Sequence, residues 1–212
     1  MSDTLDQWHY FVTPVYSIKK LEFLGAAKVA CNEMLNLGRG KHRENKIYPV
    51  LQVDVSSDKR LTPFLDYTLN TGWNLLRDQG YAMDNFTTHF TEAWCQEHDK
   101  YSSMECHTHS DSKLIAFYFV ECPNDPPRLV IHDPRPGKIM ADFVETDSNK
   151  LSLMSPAVNF IPEPGMLMFA NSWLPHSFTR NSSNKPFKLI HMNITIKRHS
   201  QANSTAPKAE II

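Results

Sequence analysis

Two segments near the start carry apolar residues at helical spacing. From Lys19 to Leu37 the positions Leu21, Leu24, Ala27, Cys31, Met34 and Leu35 recur on one face, and Gly38 supplies a stop. A second helix is predicted from Thr62-Pro63, where threonine can cap and proline suits the first turn. Its stripe is Leu65, Leu69, Trp73 and Leu76, ending near Gly80. Ahead of the first helix, His9 to Tyr16 is aromatic and β-branched and reads as a short strand. Lys41 to Lys46 is a charged loop, and Val50, Val53 and Val55 mark a strand between the helices. After Phe86 the pattern turns to strands: Phe86 to Gln96, Leu114 to Val120, Arg128 to His132, Asn159 to Pro162, Met166 to Ala170 and Phe187 to Ile196. Turns are expected at Asn124–Pro127, Asp133–Gly137 and Pro164-Gly165. Helices first and strands afterwards predict an α+β domain over residues 1–199, helical over about 17–85 and β over about 86–198. Residues 200–212 read as a disordered tail.

Composition narrows the function classes. The 212 residues suit one domain, and the net charge of -1 offers no basic footprint for nucleic acid or an anionic membrane surface. Cys31, Cys95, Cys106 and Cys122 are irregularly spaced, with no CxxC pair, and read as reduced thiols. No run has the length of a membrane-spanning helix, and the acidic, polar start has no signal-peptide core. The expected setting is cytoplasmic and soluble; a homodimer stays open.

The chemistry concentrates in Cys106-His107-Thr108-His109-Ser110-Asp111, with Pro175-His176-Ser177 beyond a β-rich interval. In an extended strand residues i and i+2 share a face, so His107 and His109 can reach one ion, as can His109 and Asp111. A jelly-roll barrel brings such a strand end beside a returning strand that carries the third ligand. Three ligands on one side with open positions opposite are the pattern of non-heme Fe(II) oxygenases. The candidate ligands are His107, His109, Asp111 and His176. They make either a three-histidine face or His109, Asp111 and His176 as two histidines and a carboxylate, with Asp133 as a further carboxylate.

The order of several motifs adds to this. Phe11-Val12-Thr13-Pro14-Val15-Tyr16, Trp94, His107-x-His109 before an aromatic strand, Asp133-Pro134-Arg135, Pro164-Gly165 and Trp173-x-x-His176 follow one another. Over roughly residues 9–196 this set resembles the 2-oxoglutarate/Fe(II) oxygenase family of bacteria and marine phages, relatives of the prolyl hydroxylases. The resemblance implies a double-stranded β-helix core with the N-terminal helices packed against it. It implies Fe(II) and 2-oxoglutarate as cofactors, dioxygen as cosubstrate, and hydroxylation of an unidentified protein, nucleotide or metabolite. It sets His107 at the family's first histidine and His109 at its carboxylate position.

The sequence departs from the family at the far carboxylate of the cosubstrate. Relatives carry an arginine on the last core strand; this chain has Phe187. Alternation puts Phe187, Leu189, His191 and Asn193 on one face and Lys188, Ile190 and Met192 on the other. Arg135, Lys188, Lys185 and Arg180 are the candidate replacements, Arg135 foremost, and Tyr118 is a candidate contact through its hydroxyl. Substrate selection is expected from the helical half and the polar loop Asp142 to Leu153. Two other readings stand beside this one: a three-histidine, cupin-type dioxygenase without 2-oxoglutarate, and a non-catalytic barrel serving as a binding or structural module.

Overall fold

The computed structural model describes residues 4–39, 50–140 and 144–199. In chain order the elements are β1 (Val15–Lys19), α1 (Leu24–Arg39), β2 (Val50–Asp54), α2 (Thr62–Asp78), β3 (Phe86–His98), β4 (Met104–His107), β5 (Leu114–Glu121) and β6 (Leu129–His132). They continue with the short α3 (Pro136–Ile139), β7 (Ala157–Phe160), β8 (Met166–Asn171), β9 (His176–Phe178) and β10 (Phe187–Arg198). Six strands form one sheet in the order β1-β8-β5-β10-β3-β2, and four form a second in the order β4-β9-β6-β7. All pairings between them are antiparallel.

The central position of β5 explains its unbroken apolar run. Leu114 to Val120 is buried on both faces, where a half-exposed strand would alternate with polar residues. Leu114, Ala116, Tyr118 and Val120 pack into the layer beneath the helices. Ile115, Phe117 and Phe119 join Leu129, Ile131, Phe178, Phe187 and Leu189 between the two sheets. Burying each such side chain contributes about 1.5–3 kcal/mol. The expected alternation along β10 holds: Phe187 and Leu189 face the second sheet, while Ile190, Met192 and Ile194 face the helices.

Local differences from the sequence reading have physical causes. The first strand begins at Val15, and the residues from His9 to Val12 are exposed outside it. Gly38 lies inside α1 and does not stop it; a Cβ there would sit 2.6 Å from Val53 Cγ2, so glycine lets helix and strand approach. In α2, Pro63 occupies the first turn as expected, whereas Thr62 is already helical and does not cap. The Pro164-Gly165 turn is present, with Gly165 at φ 82°, a conformation that favours glycine. Strands β4 and β9, too short for periodicity to bound, are the strand end and returning strand on which the ligand argument relied. The charged 41–46 loop and the 200–212 tail lie outside the described residues, as does the start of the 142–153 loop. No described helix is long and apolar enough to cross a membrane.

Candidate metal centre

The two sheets converge on three imidazoles. His107 ends β4 and is paired with His176 at the start of β9. His109 lies two residues past β4, where its N–H donates to Ser172 O at 2.9 Å. The 108–113 loop is tied further by Ser172 N donating to Lys113 O at 3.0 Å and Ser172 Oγ donating to Ser112 O at 2.6 Å. One ligand atom from each of His107, His109 and His176 lies within 4.8 Å of the others. Ring centroids are 4.4 Å apart for His107 and His176, 5.0 Å for His107 and His109, and 5.3 Å for His109 and His176.

Hydrogen bonds orient two of these rings. His176 Nδ1 donates to Leu174 O at 3.0 Å and His107 Nδ1 donates to Glu105 O at 2.7 Å, which leaves the Nε2 lone pairs for another partner. His109 Nδ1 lies 3.1 Å from Asn193 Nδ2, which also donates to Glu92 Oε2 at 2.8 Å. The Asn193 amide nitrogen has one hydrogen for each of these two acceptors, so it fixes the His109 ring from β10, while its Oδ1 is buried without a partner. The register of β10 against β3 shifts between Asn193 and Ile194, and such bulges re-aim side chains beside functional sites.

Burial sets the protonation state. Together with the neighbouring His107, it lowers the pKa of His176 to about 3 and that of His109 to about 4. Neutral rings are what metal ligation requires. The Nε2 atoms of His109 and His176 are buried without hydrogen-bond partners, which is costly unless something accepts them. Three neutral imidazoles fit a divalent first-row ion such as iron(II) and leave its remaining positions open.

The other sequence candidates fall elsewhere. Asp111 is exposed and outside the three-histidine group, close enough only to raise the His109 pKa somewhat. Asp133 does not join the group either, because its carboxylate is engaged by Arg135 through Nε at 2.9 Å and Nη2 at 2.6 Å. That fork leaves Arg135 61% exposed and committed to its neighbour. Lys188 points to the helical layer, donating to Asn32 Oδ1 at 2.6 Å and pairing with Glu121 at 2.9 Å. Tyr118 faces the same layer, its hydroxyl donating to Lys20 O at 2.6 Å and its ring 4.6 Å from that of Phe64. Neither Lys188 nor Tyr118 can reach the imidazoles through the sheet. Arg180 and Lys185 are exposed, and the four cysteines are free thiols.

Two residues not singled out from sequence border the site. Asn193 touches His109 as described. His191 is buried 5.0 Å from His109 and 5.1 Å from Trp94, ring to ring. The alternation of β10 was the signal available for His191 and Asn193, since it put both on the face of Phe187. A cavity of about 390 Å³ opens beside His109, lined in part by Tyr81, Lys113, Asn171, Ser172 and Trp173.

Residues 92–188 match the model of a family described as "Putative 2OG-Fe(II) oxygenase". The matched segment contains all three imidazoles of the site. No curated protein matches the sequence significantly. Among solved structures, AviO1 from Streptomyces viridochromogenes aligns with TM-score 0.60 at 10% identity, covering 92% of this chain and 93% of that one. A prolyl-4-hydroxylase from Pseudomonas putida aligns with TM-score 0.56 at 11% identity, covering 86% and 93%. HygX from Streptomyces hygroscopicus, solved with nickel, 2-oxoglutarate and hygromycin B, aligns with TM-score 0.54 at 9% identity, covering 86% and 83%. These likenesses establish a shared fold.

Proposed function

We propose that the protein is an iron(II)-dependent oxygenase that consumes a 2-oxo acid, 2-oxoglutarate being the cosubstrate named by the family that residues 92–188 match, and hydroxylates a separate substrate. The observation that carries this reading is the convergence of His107, His109 and His176, with buried Nε2 atoms on two of them lacking any partner. These three side chains would hold the metal. When bound, iron(II) supplies open coordination positions and electrons for splitting dioxygen as the 2-oxo acid loses carbon dioxide; one oxygen atom enters the resulting acid and the other a substrate C–H bond.

The chain's own residues prepare the site for this. The backbone carbonyls of Glu105 and Leu174 fix the His107 and His176 rings by their Nδ1 protons, and the Asn193 amide nitrogen orients the His109 ring from 3.1 Å. Phe117 packs 5.5 Å from His176 and 4.8 Å from His191, closing the inner side against water. The cavity beside His109 is the opening through which a substrate would approach, with Trp173, 49% exposed, on its rim.

Anaerobic titration with Fe(II), with and without 2-oxo acid, tests the reading. A visible charge-transfer band from the chelated 2-oxo acid is expected, and it should vanish in His176→Ala. A second reading, a dioxygenase needing no 2-oxo acid, draws on the all-imidazole ligand group. Tight iron binding without the band would select it.

A further inference from the structure

We infer that this site takes the tail of its 2-oxo acid as an uncharged group, so that acids with aliphatic tails bind at least as well as 2-oxoglutarate. The inference rests on the proposed use of a 2-oxo acid and concerns only the end of that molecule remote from the metal.

Its basis is the wall that runs inward from the imidazoles between the two sheets. On β10 this wall presents His191, Leu189 and Phe187; across the β10–β3 register it presents Trp94, Gln96 and His98; across the β10–β5 register it presents Phe117 and Phe119. Among these described residues there is no lysine or arginine. Phe187 is fully buried, with ring centroids of Phe178, Phe119 and His98 at 5.8, 5.9 and 5.6 Å.

Each cation that might compensate is committed elsewhere. Lys188 neighbours Phe187 in sequence but projects through the opposite face to Asn32 and Glu121. Arg135 is forked onto Asp133, and Arg180 and Lys185 are exposed. Glu92, which holds Asn193, is anionic, and Lys113 lines the cavity on the other side of His109, away from this wall.

A carboxylate brought into such a wall would meet uncharged ring nitrogens at most, the partnerless Trp94 Nε1, His98 Nδ1 and His191 Nε2, and no counter-charge to replace its hydration, which disfavours binding. An isobutyl tail would lie against Phe187, Leu189, Phe117 and Phe119, where burial of apolar surface is favourable. His98 adds no charge to this balance, because burial lowers its pKa to about 4.

The test uses the full chain loaded anaerobically with Fe(II), following the visible charge-transfer band against 2-oxoglutarate and against 4-methyl-2-oxopentanoate. Equal or tighter half-saturation by 4-methyl-2-oxopentanoate is expected. Tenfold or greater preference for 2-oxoglutarate overturns this inference and leaves the proposed function standing. Iron binding with no band from either acid overturns the proposed function and this inference with it. Phe187→Arg, checked for folding by circular dichroism, is expected to shift the ratio of the two half-saturations at least tenfold toward 2-oxoglutarate. An unchanged ratio in a folded variant overturns the placement of the tail along this wall, and if the variant does not fold, the wild-type ratio decides alone.

Discussion

His107 and His176 are direct cross-strand partners on β4 and β9, with ring centroids 4.4 Å apart. Opposed residues on antiparallel strands bring their Cβ atoms within about 4.5–5.5 Å, so the pairing itself delivers two imidazoles to one point. His109 then closes the triangle from a loop pinned to Ser172. His176→Ala should weaken Fe(II) binding by ~100-fold or more, beyond the effect of losing an orienting neighbour. Titration of the folded variant, its circular dichroism compared with wild type, checks this; near-normal affinity would remove His176 from the ligand set.

Asn193 orients His109 and does not itself belong to the ligand group. Asn193→Ala should therefore reduce iron affinity by about 10–100-fold while leaving the site able to bind. The same titration measures it. Unchanged affinity would mean that His109 is held by its loop alone.

Lys188 sits in a buried network with Asn32, Glu121 and Glu97, the last also held by Arg39. Lys188→Met should lower stability by about 2–4 kcal/mol, because it strips a partner from carboxylates beneath α1. Its 2-oxo acid half-saturation should stay at the wild-type value. Denaturant unfolding and the charge-transfer titration separate the two effects, and a loss confined to the titration would return Lys188 to the site.

His98 has an ordinary pKa of 6.5, and burial lowers it to about 4 in the fold. Between those values the unfolded chain binds more protons than the folded one, so stability rises with pH through that window. The contribution is fully present above pH 6.5 and is lost as pH falls toward 4, amounting to roughly 3 kcal/mol. Buried His176 and His191 act in the same direction. Unfolding free energies measured across this window should slope upward for wild type and less steeply for His98→Phe; parallel curves would contradict the assignment.

Gly38→Ala should destabilise although alanine is the better helix former by about 1 kcal/mol. The added Cβ would meet Val53 Cγ2 at 2.6 Å, and valine is stiff at χ1, so overpacking of about 1–3 kcal/mol outweighs propensity. A lowered denaturant midpoint checks this.

Much of this was written in local pattern. The helical stripes placed α1 and α2, the apolar run of β5 marked the middle of the large sheet, and spacing picked out His107, His109 and His176. What escaped was set by long-range pairing. Three- and four-residue strands such as β9 and β4 carry no readable period, yet they position two of the imidazoles. Asn193 meets His109 across 84 residues of sequence, a contact that no local rule supplies. Tyr118 looked available because its phenol needs a partner; the sheet turned it toward Lys20 instead. Arg135 looked available because its bend lies near the barrel end, but Asp133 two residues earlier claims it.

Strand β10 divides its labour by residue parity. Substitutions at 187, 189 and 191 fall in the layer between the sheets, whereas those at 188, 190 and 192 fall in the layer under the helices. Changes on the imidazole side can therefore accumulate at odd-numbered positions while even-numbered ones go on anchoring the scaffold. A single inserted residue would exchange the two roles at once, so this strand tolerates replacement far better than a change in length.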